Sequence, residues 1–274
     1  MPHTVEVPEA ARGHAIIRAS DTNSWPDCNR RTFARAFPEL VISAGHKLRD
    51  RIAHIGAVVG TGAHVAAQWT HDRPDEKSAA VDAGIASMYV EAEAGVMYDS
   101  LTGNLDHAKT QLQRITAVYQ HRVYPELREA VVEGRLWAEV GPRVSVTGQP
   151  DGALDDETTD LKTGARAWSH VFQLGTYSLL RRTNGAKPTR LREIRIPRTR
   201  ISAGQQDPVM TYYPVDAAEQ GAWQVIDDMK GALNGFLRHR EIDKIPANPG
   251  SVLCSSAFCP LHSTAGCRLW QGAE

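Results

Sequence analysis

Asp160 and Lys162 stand two residues apart in this 274-residue chain, and Asp151 lies nine residues before Asp160. Two carboxylates and an ammonium at that spacing suit metal-dependent hydrolysis of a phosphodiester. Hard divalent cations such as Mg²⁺ take carboxylate and water oxygens, commonly through one or two carboxylates, and leave positions for substrate phosphate and the attacking water. A neighbouring lysine can orient or deprotonate that water, and its attraction to the carboxylates keeps it at the site. The flanking sequence supplies strands to carry these groups. Val144 and Val146 alternate with polar neighbours and lead through Gly148 to Asp151; residues 155–157 read as a turn and residues 158–163 as a returning strand. The expected element is a hairpin in which Asp151 and Asp160 meet across a sheet. Alternation then sends Asp160 and Lys162 to one face and Leu161 into the core behind them.

Other residues fall around this pair in a definite order. Gly60 precedes His64 by four, Gly148 precedes Asp151 by three, the string Asp160-Leu161-Lys162-Thr163-Gly164 follows, and Gln173 precedes Tyr177 by four. A helix over residues 168–182 would put Gln173 and Tyr177 on one face. In turn, these four motifs resemble the G-x-x-x-H helix, the G-x-x-D strand end, the D-x-K-T-G strand and the Q-x-x-x-Y helix of the PD-(D/E)XK nuclease superfamily, in its RecB-type exonuclease branch. That resemblance implies a restriction-endonuclease-like α/β core, a mixed sheet flanked by helices. It implies His64, Asp151, Asp160 and the Leu161 carbonyl as ligands of Mg²⁺ or Mn²⁺, the imidazole favouring tolerance of Mn²⁺. Lys162 would activate the water, and Gln173 and Tyr177 would steady the phosphate or the strand.

The four cysteines form a second constellation: Cys28 stands alone near the start, and Cys254, Cys259 and Cys267 near the end. Four thiolates can hold a [4Fe-4S] cluster or a tetrahedral zinc, and either would clamp the two ends of the chain together. His262 could replace a cysteine in a zinc site. Residues 1–18 carry Glu and Arg and no apolar run, so a secretory leader is not expected, a cytoplasmic location is, and disulfides are disfavoured. The stretch 20–33, with Ser20, Trp25, Cys28, Arg30, Arg31 and Phe33, resembles the opening of iron–sulfur RecB-type nuclease domains, such as those of AddB helicase–nuclease subunits and CRISPR-associated adaptation exonucleases. On that resemblance Cys28, Cys254, Cys259 and Cys267 are cluster ligands, and recombination or CRISPR adaptation proteins are possible partners. The spacing between the three later cysteines is looser than the family's usual one.

These sites need elements to position them. At 42% hydrophobic and 23% charged residues, the chain can bury one sizeable core with an inserted subdomain. The net charge of -1 does not suggest a nucleic-acid partner, but the distribution does. Arg181, Arg182, Lys187, Arg190, Arg192, Arg195, Arg198 and Arg200 follow the Gln173 helix with Glu193 the only acid among them, a strip expected to track a phosphate backbone, with Arg181 and Arg182 nearest the site. Residues 72–99 are acidic and should face away from DNA or toward a protein partner. Residues 104–133 read as a long helix with Leu105, Ala108, Leu112, Ile115 and Tyr119 at helical spacing, kinked or broken at Pro125. A helix over 217–239 places Trp223, Ile226, Met229, Leu233 and Phe236 on one stripe. Residues 52–70 approach membrane-span length, but His, Gln, Thr and several Gly argue against a span.

The organisation expected is an N-terminal segment at 1–64 with the first cysteine and the histidine motif, a helical insertion at 65–134, the nuclease core at 135–245 and a cysteine segment at 246–274. No P-loop or helicase motif occurs, so strand separation by ATP would need another protein. The expected activity is a metal-dependent DNA exonuclease acting on single strands or duplex ends. Two alternatives stay open: a non-catalytic DNA-binding or assembly subunit built on the same fold, and a zinc-stapled nuclease acting on RNA.

Overall fold

In the computed structural model, which describes residues 8–50, 52–131, 134–165 and 167–267, strands and helices interleave along the chain. Strand β1 (Ala15–Arg18) leads into helices α1 (Ala19–Ser24), α2 (Asn29–Ala36) and α3 (Pro38–Ser43). A short strand β2 (Ala53–His54) opens onto α4 (Ile55–Asp72), then α5 (Lys77–Ala92), β3 (Val96–Met97) and α6 (Leu105–Val118). After a π-helical turn at Tyr119–Val123 comes α7 (Tyr124–Leu127), and then β4 (Leu136–Gly141), β5 (Val144–Gly148), β6 (Gly152–Ala153) and β7 (Glu157–Lys162). The chain continues with α8 (Val171–Thr183), β8 (Arg190–Arg195), β9 (Val209–Tyr213) and α9 (Val215–His239).

The expected hairpin is split. β5 pairs with β1 and β4 in one sheet, whereas β7 lies in another of order β6-β7-β8-β9. Only the two residues of β6 fold back, Gly152 opposite Thr159 and Ala153 opposite Thr158. Pro150 cannot donate to a ladder, and the Asp151 side chain replaces the main chain at the next position. Its Oδ2 accepts from Leu161 N at 2.7 Å. β7 and β8 run parallel, with α8 as the crossover between them, which sets Asp160 opposite Glu193 and Lys162 opposite Arg195. The architecture is a mixed α/β fold, as expected.

Two main cores hold these layers. One joins Ile17, Phe33, Val144, Val146, Leu180 and the buried face of α9. The other joins α4 and α6 to the back of the second sheet through Val59, Ala63, Leu112, Ile115, Leu161 and Ile194. The helical stretch therefore shares a core with β7, and α4 runs unbroken through position 64. Close packing of α4 on α5 depends on glycine. A Cβ on Gly62 would stand 2.7 Å from the Gly84 carbonyl oxygen, and one on Gly84 2.6 Å from that of Gly62. Burying a leucine such as Leu112 is worth enough that truncation to alanine costs about 2–5 kcal/mol.

Three local expectations need correction. The helix from 104 ends at Leu127, and Pro125 sits in the first turn of α7, where its missing N–H is not needed. The π-helical turn before it, closed by Tyr124 N on Tyr119 O, takes up the mismatch. On α9 the apolar stripe passes through Ala222, Ile226, Met229, Leu233 and Phe236, and Trp223 is 44% exposed. The basic strip is only partly at the surface: Arg182, Lys187, Arg190 and Arg200 are exposed, and three others are not. Arg181, Arg192 and Arg198 are buried, because the sheet around them carries carboxylates and carbonyls that need counter-charge. Arg192 bonds Glu157 at 2.6 Å and Glu126 at 3.0 Å, and Arg198 pairs with Asp99. Asp99 thus belongs to an internal ion pair and not to a solvated acidic face.

The two ends of the described chain do meet. Arg30 donates to the carbonyls of Ile245 at 2.8 Å and Asp243 at 2.7 Å, and Arg31, 2% exposed, pairs with Asp27 at 2.7 Å and reaches Ser251. Among the described residues no helix is long and apolar enough to cross a membrane.

Candidate active site

Four elements bring the predicted groups together. His64 projects from the middle of α4, Asp151 from the loop between β5 and β6, Asp160 and Lys162 from β7, and Gln173 and Tyr177 from α8. Lys162 Nζ lies 2.7 Å from Asp160 Oδ2 and donates to Gln173 Oε1 at 3.3 Å. Gln173 Nε2 donates to Tyr177 Oη at 2.7 Å and, more weakly, to Asp160 Oδ1 at 3.4 Å. His64 Nδ1 and Asp151 Oδ1 are 2.6 Å apart. Leu161 points back into the second core, as alternation along a strand requires.

The charges are shaped by burial and by one another. Asp160 is 1% exposed; burial pushes its carboxyl up to about 6, the repulsion of Asp151 adding to the rise and the Lys162 ammonium opposing it. Burial would also raise Asp151, yet the His64 imidazole, Lys162 and the Leu161 N–H together hold it below the ordinary carboxylate value. Burial disfavours charge on Lys162 and on His64, but the adjacent carboxylates outweigh it and raise both above their usual values. Tyr177 is pushed far up by burial and by Asp160 and Asp151, so its phenol stays protonated. Lys162 is therefore an ammonium here, a donor of hydrogen bonds.

Whether a divalent cation suits this set is a question of donor chemistry. His64, Asp151, Asp160 and the Leu161 carbonyl offer hard oxygens and one imidazole, which Mg²⁺ and Mn²⁺ accept. The elevated Asp160 carboxyl marks a place short of positive charge despite Lys162, and a cation meets that demand. The side chains now stand as two pairs, His64 with Asp151 and Asp160 with Lys162, and among the described residues no group of three or more His, Cys, Asp or Glu converges in metal-holding geometry. The donors fit, and each carboxylate is now paired, Asp151 with His64 and Asp160 with Lys162.

Beside this cluster lies a groove of about 930 Å³ whose lining includes His64, Asp151, Leu161 and Tyr177. It also includes Arg18, Tyr119, Arg135 and Trp137, none of which the sequence reading placed at the site. Arg135 and Trp137 lead into β4, where alternation with the apolar Leu136, Ala138 and Val140 was the available signal. Tyr119 stands out in the sequence only by its helical spacing; its hydroxyl bonds His71 Nε2 at 2.8 Å.

Other predicted residues lie elsewhere. Arg181 gives its guanidinium to the carbonyls of Glu157 at 2.9 Å and Leu154 at 2.8 Å, and Arg182 pairs with Glu219 at 2.6 Å; neither lines the groove. Cys28, Cys254, Cys259 and Cys267 line one cavity with Arg30, Arg31 and Leu261. Its free volume of about 10 Å³ is close to the room of one water. Cys28 Sγ accepts from Asn248 N at 3.4 Å, and burial raises the Cys259 thiol, as does negative charge on its three fellow cysteines. The four are not in disulfides.

The sequence model of the PD-(D/E)XK nuclease superfamily matches residues 25–264. No curated protein matches the chain. Among solved structures, an exonuclease candidate from Eubacterium rectale is similar over 87% of this chain and 85% of that one, at 11% identity and a TM-score of 0.48. The alkaline exonuclease LHK-Exo from Laribacter hongkongensis is similar over 66% of this chain and 96% of its own, at 10% identity and a TM-score of 0.31. The same exonuclease in complex with dAMP aligns over 68% and 96%, at 12% identity and a TM-score of 0.30.

Proposed function

Because this chain belongs to the PD-(D/E)XK nuclease superfamily, we propose that it is a metal-dependent DNA exonuclease acting on single strands or duplex ends. The observation that carries this reading is the Lys162–Asp160 ion pair of 2.7 Å, backed by Gln173 and set beside the Asp151–His64 pair at an open groove. His64, Asp151, Asp160 and the Leu161 carbonyl would hold Mg²⁺ or Mn²⁺. Once bound, such an ion supplies Lewis-acid polarisation of phosphate and neutralises added negative charge.

The chain's own groups do the rest. Lys162, kept as an ammonium by the carboxylates around it, donates to the attacking water or to a non-bridging phosphate oxygen and stabilises charge that grows as the bond forms. Gln173 holds the Lys162 ammonium through its Oε1 while its amide N–H groups fix Tyr177 and Asp160. This chain of bonds keeps a long lysine side chain in one rotamer, which shortens the search for the reactive arrangement.

The four thiols are proposed to hold a structural centre between the chain ends. A [4Fe-4S] cluster is what the resemblance implies, and a single zinc held by the same thiolates is the second reading. The cellular setting consistent with this family is recombination, repair or CRISPR adaptation, with DNA-processing proteins as partners.

Digestion of end-labelled single-stranded DNA, duplex DNA and RNA with Mg²⁺ or Mn²⁺ tests the activity. Release of short products from labelled DNA ends supports it. Binding without cleavage under every metal condition would instead favour an assembly subunit, and cleavage of RNA alone would move the substrate.

A further inference from the structure

β4 is one of the two edge strands of its sheet, in the order β1-β5-β4. Its side chains divide cleanly. Leu136, Ala138 and Val140 pack against the first core, so Trp137 must point to the opposite face, together with Arg135 just before the strand. That face looks into the groove, whose lining contains Arg135, Trp137 and Thr147, the residue paired with Trp137 across the ladder. Arg18 joins them from the end of β1 and is exposed, as Arg135 is; Trp137 is half-buried. Arg135 also stands close enough to Tyr177 for its charge to act on the phenol. Glu139, next along the same face, is outside the groove lining.

An aromatic surface flanked by two guanidinium groups beside a phosphodiester-cleaving cluster has the chemistry of a single-strand platform. Bases stack on aromatic faces without regard to sequence, and arginines track the backbone. A base within a duplex is already stacked on both sides and cannot offer its face. We infer that Arg18, Arg135 and Trp137 form a subsite for unpaired DNA, with Trp137 stacking one base and the arginines holding its phosphates. This deepens the nuclease reading and rests on it: the subsite makes single-stranded DNA, or the frayed strand at a duplex end, the preferred substrate.

The test compares wild type with Trp137→Ala, Trp137→Phe and Arg135→Ala in the full chain. Affinity for a labelled oligothymidylate and for a blunt duplex is measured with Ca²⁺, and cleavage is measured with Mn²⁺ on the oligothymidylate and on bis(p-nitrophenyl) phosphate, a phosphodiester that carries no base. Trp137→Ala should weaken single-strand binding and raise KM on the order of tenfold, the loss of one stacked base. Duplex affinity and the small substrate should change little, and Trp137→Phe should restore the strand affinity. Arg135→Ala should reduce the salt slope of strand binding by about one ion. Equal strand affinity of Trp137→Ala and wild type, or equal loss on strand and duplex, would overturn the subsite. A melting curve on each variant separates loss of the platform from loss of the fold, since Trp137→Phe keeps the ring. Failure of wild type to cut either substrate would sink the nuclease reading, while the binding arm would still report on the platform.

Discussion

Gly148 and Tyr177 are pressed together: a methyl group on Gly148 would stand 2.6 Å from Tyr177 Cε1 and 2.8 Å from Cδ1. Two motifs that read as separate in the sequence are thus one contact. The strand that delivers Asp151 passes flush against the ring whose hydroxyl is fixed by Gln173.

Gly148→Ala must move the Tyr177 ring or the strand end. The expected loss of stability is about 1–3 kcal/mol, the usual cost of overpacking, read from denaturant unfolding. Activity should fall more than the fraction unfolded accounts for, because the displaced ring drags Gln173 from Lys162. A variant as active as wild type would show that the contact is packing alone.

Tyr177→Phe and Gln173→Leu separate the members of the hydrogen-bond chain. The first removes only a hydroxyl that accepts from Gln173, and should cost about 1 kcal/mol of stability with activity largely kept. The second frees the Lys162 ammonium and leaves buried groups unpaired, at about 1–3 kcal/mol and a larger loss of rate. Steady-state kinetics beside thermal unfolding would check the order.

Asp99 sets a pH dependence away from the site. Burial works against its charge, but hydrogen bonds and charge from Arg198, with the N–H groups of Leu101 and Thr102, hold its pKa below the ordinary value. A carboxylate depressed in the folded state stabilises fully above its unfolded pKa of about 4. That contribution fades as pH falls toward the lower folded value. Asp99→Asn should flatten the loss of stability in that acid window, measured by unfolding midpoints against pH.

The cysteines predict metal content. Protein isolated without chelator or oxygen should carry iron with sulfide, or zinc, at one centre per chain. Cys259→Ser should lack it and melt at a lower temperature, since Cys259 also belongs to the first core. Visible absorption and elemental analysis distinguish the two centres. Isolated protein with neither metal would remove the proposed staple.

Much of the site was legible because its residues are local in the sequence. Asp160 and Lys162 share a face by strand alternation, and Gln173 and Tyr177 share one by helical spacing. What the sequence misread was non-local. β5 resembles a hairpin partner for β7 until the parallel strand β1, far away in the chain, takes its edge. Arg192 and Arg198 look like part of a surface strip because their carboxylates, Glu126, Glu157 and Asp99, come from distant elements. Trp223 was placed one residue off the buried stripe of α9. Trp137 and Arg135 are hard to place from sequence because a single edge strand gives only a short alternating pattern.

The most direct measurement is the rate of labelled single-stranded DNA digestion with Mn²⁺ by wild type and Lys162→Ala, each shown to be folded by its unfolding curve. Loss of the ammonium should lower the rate by about 10²–10⁴-fold, with DNA binding retained. Equal rates for the two proteins would contradict the account at its centre.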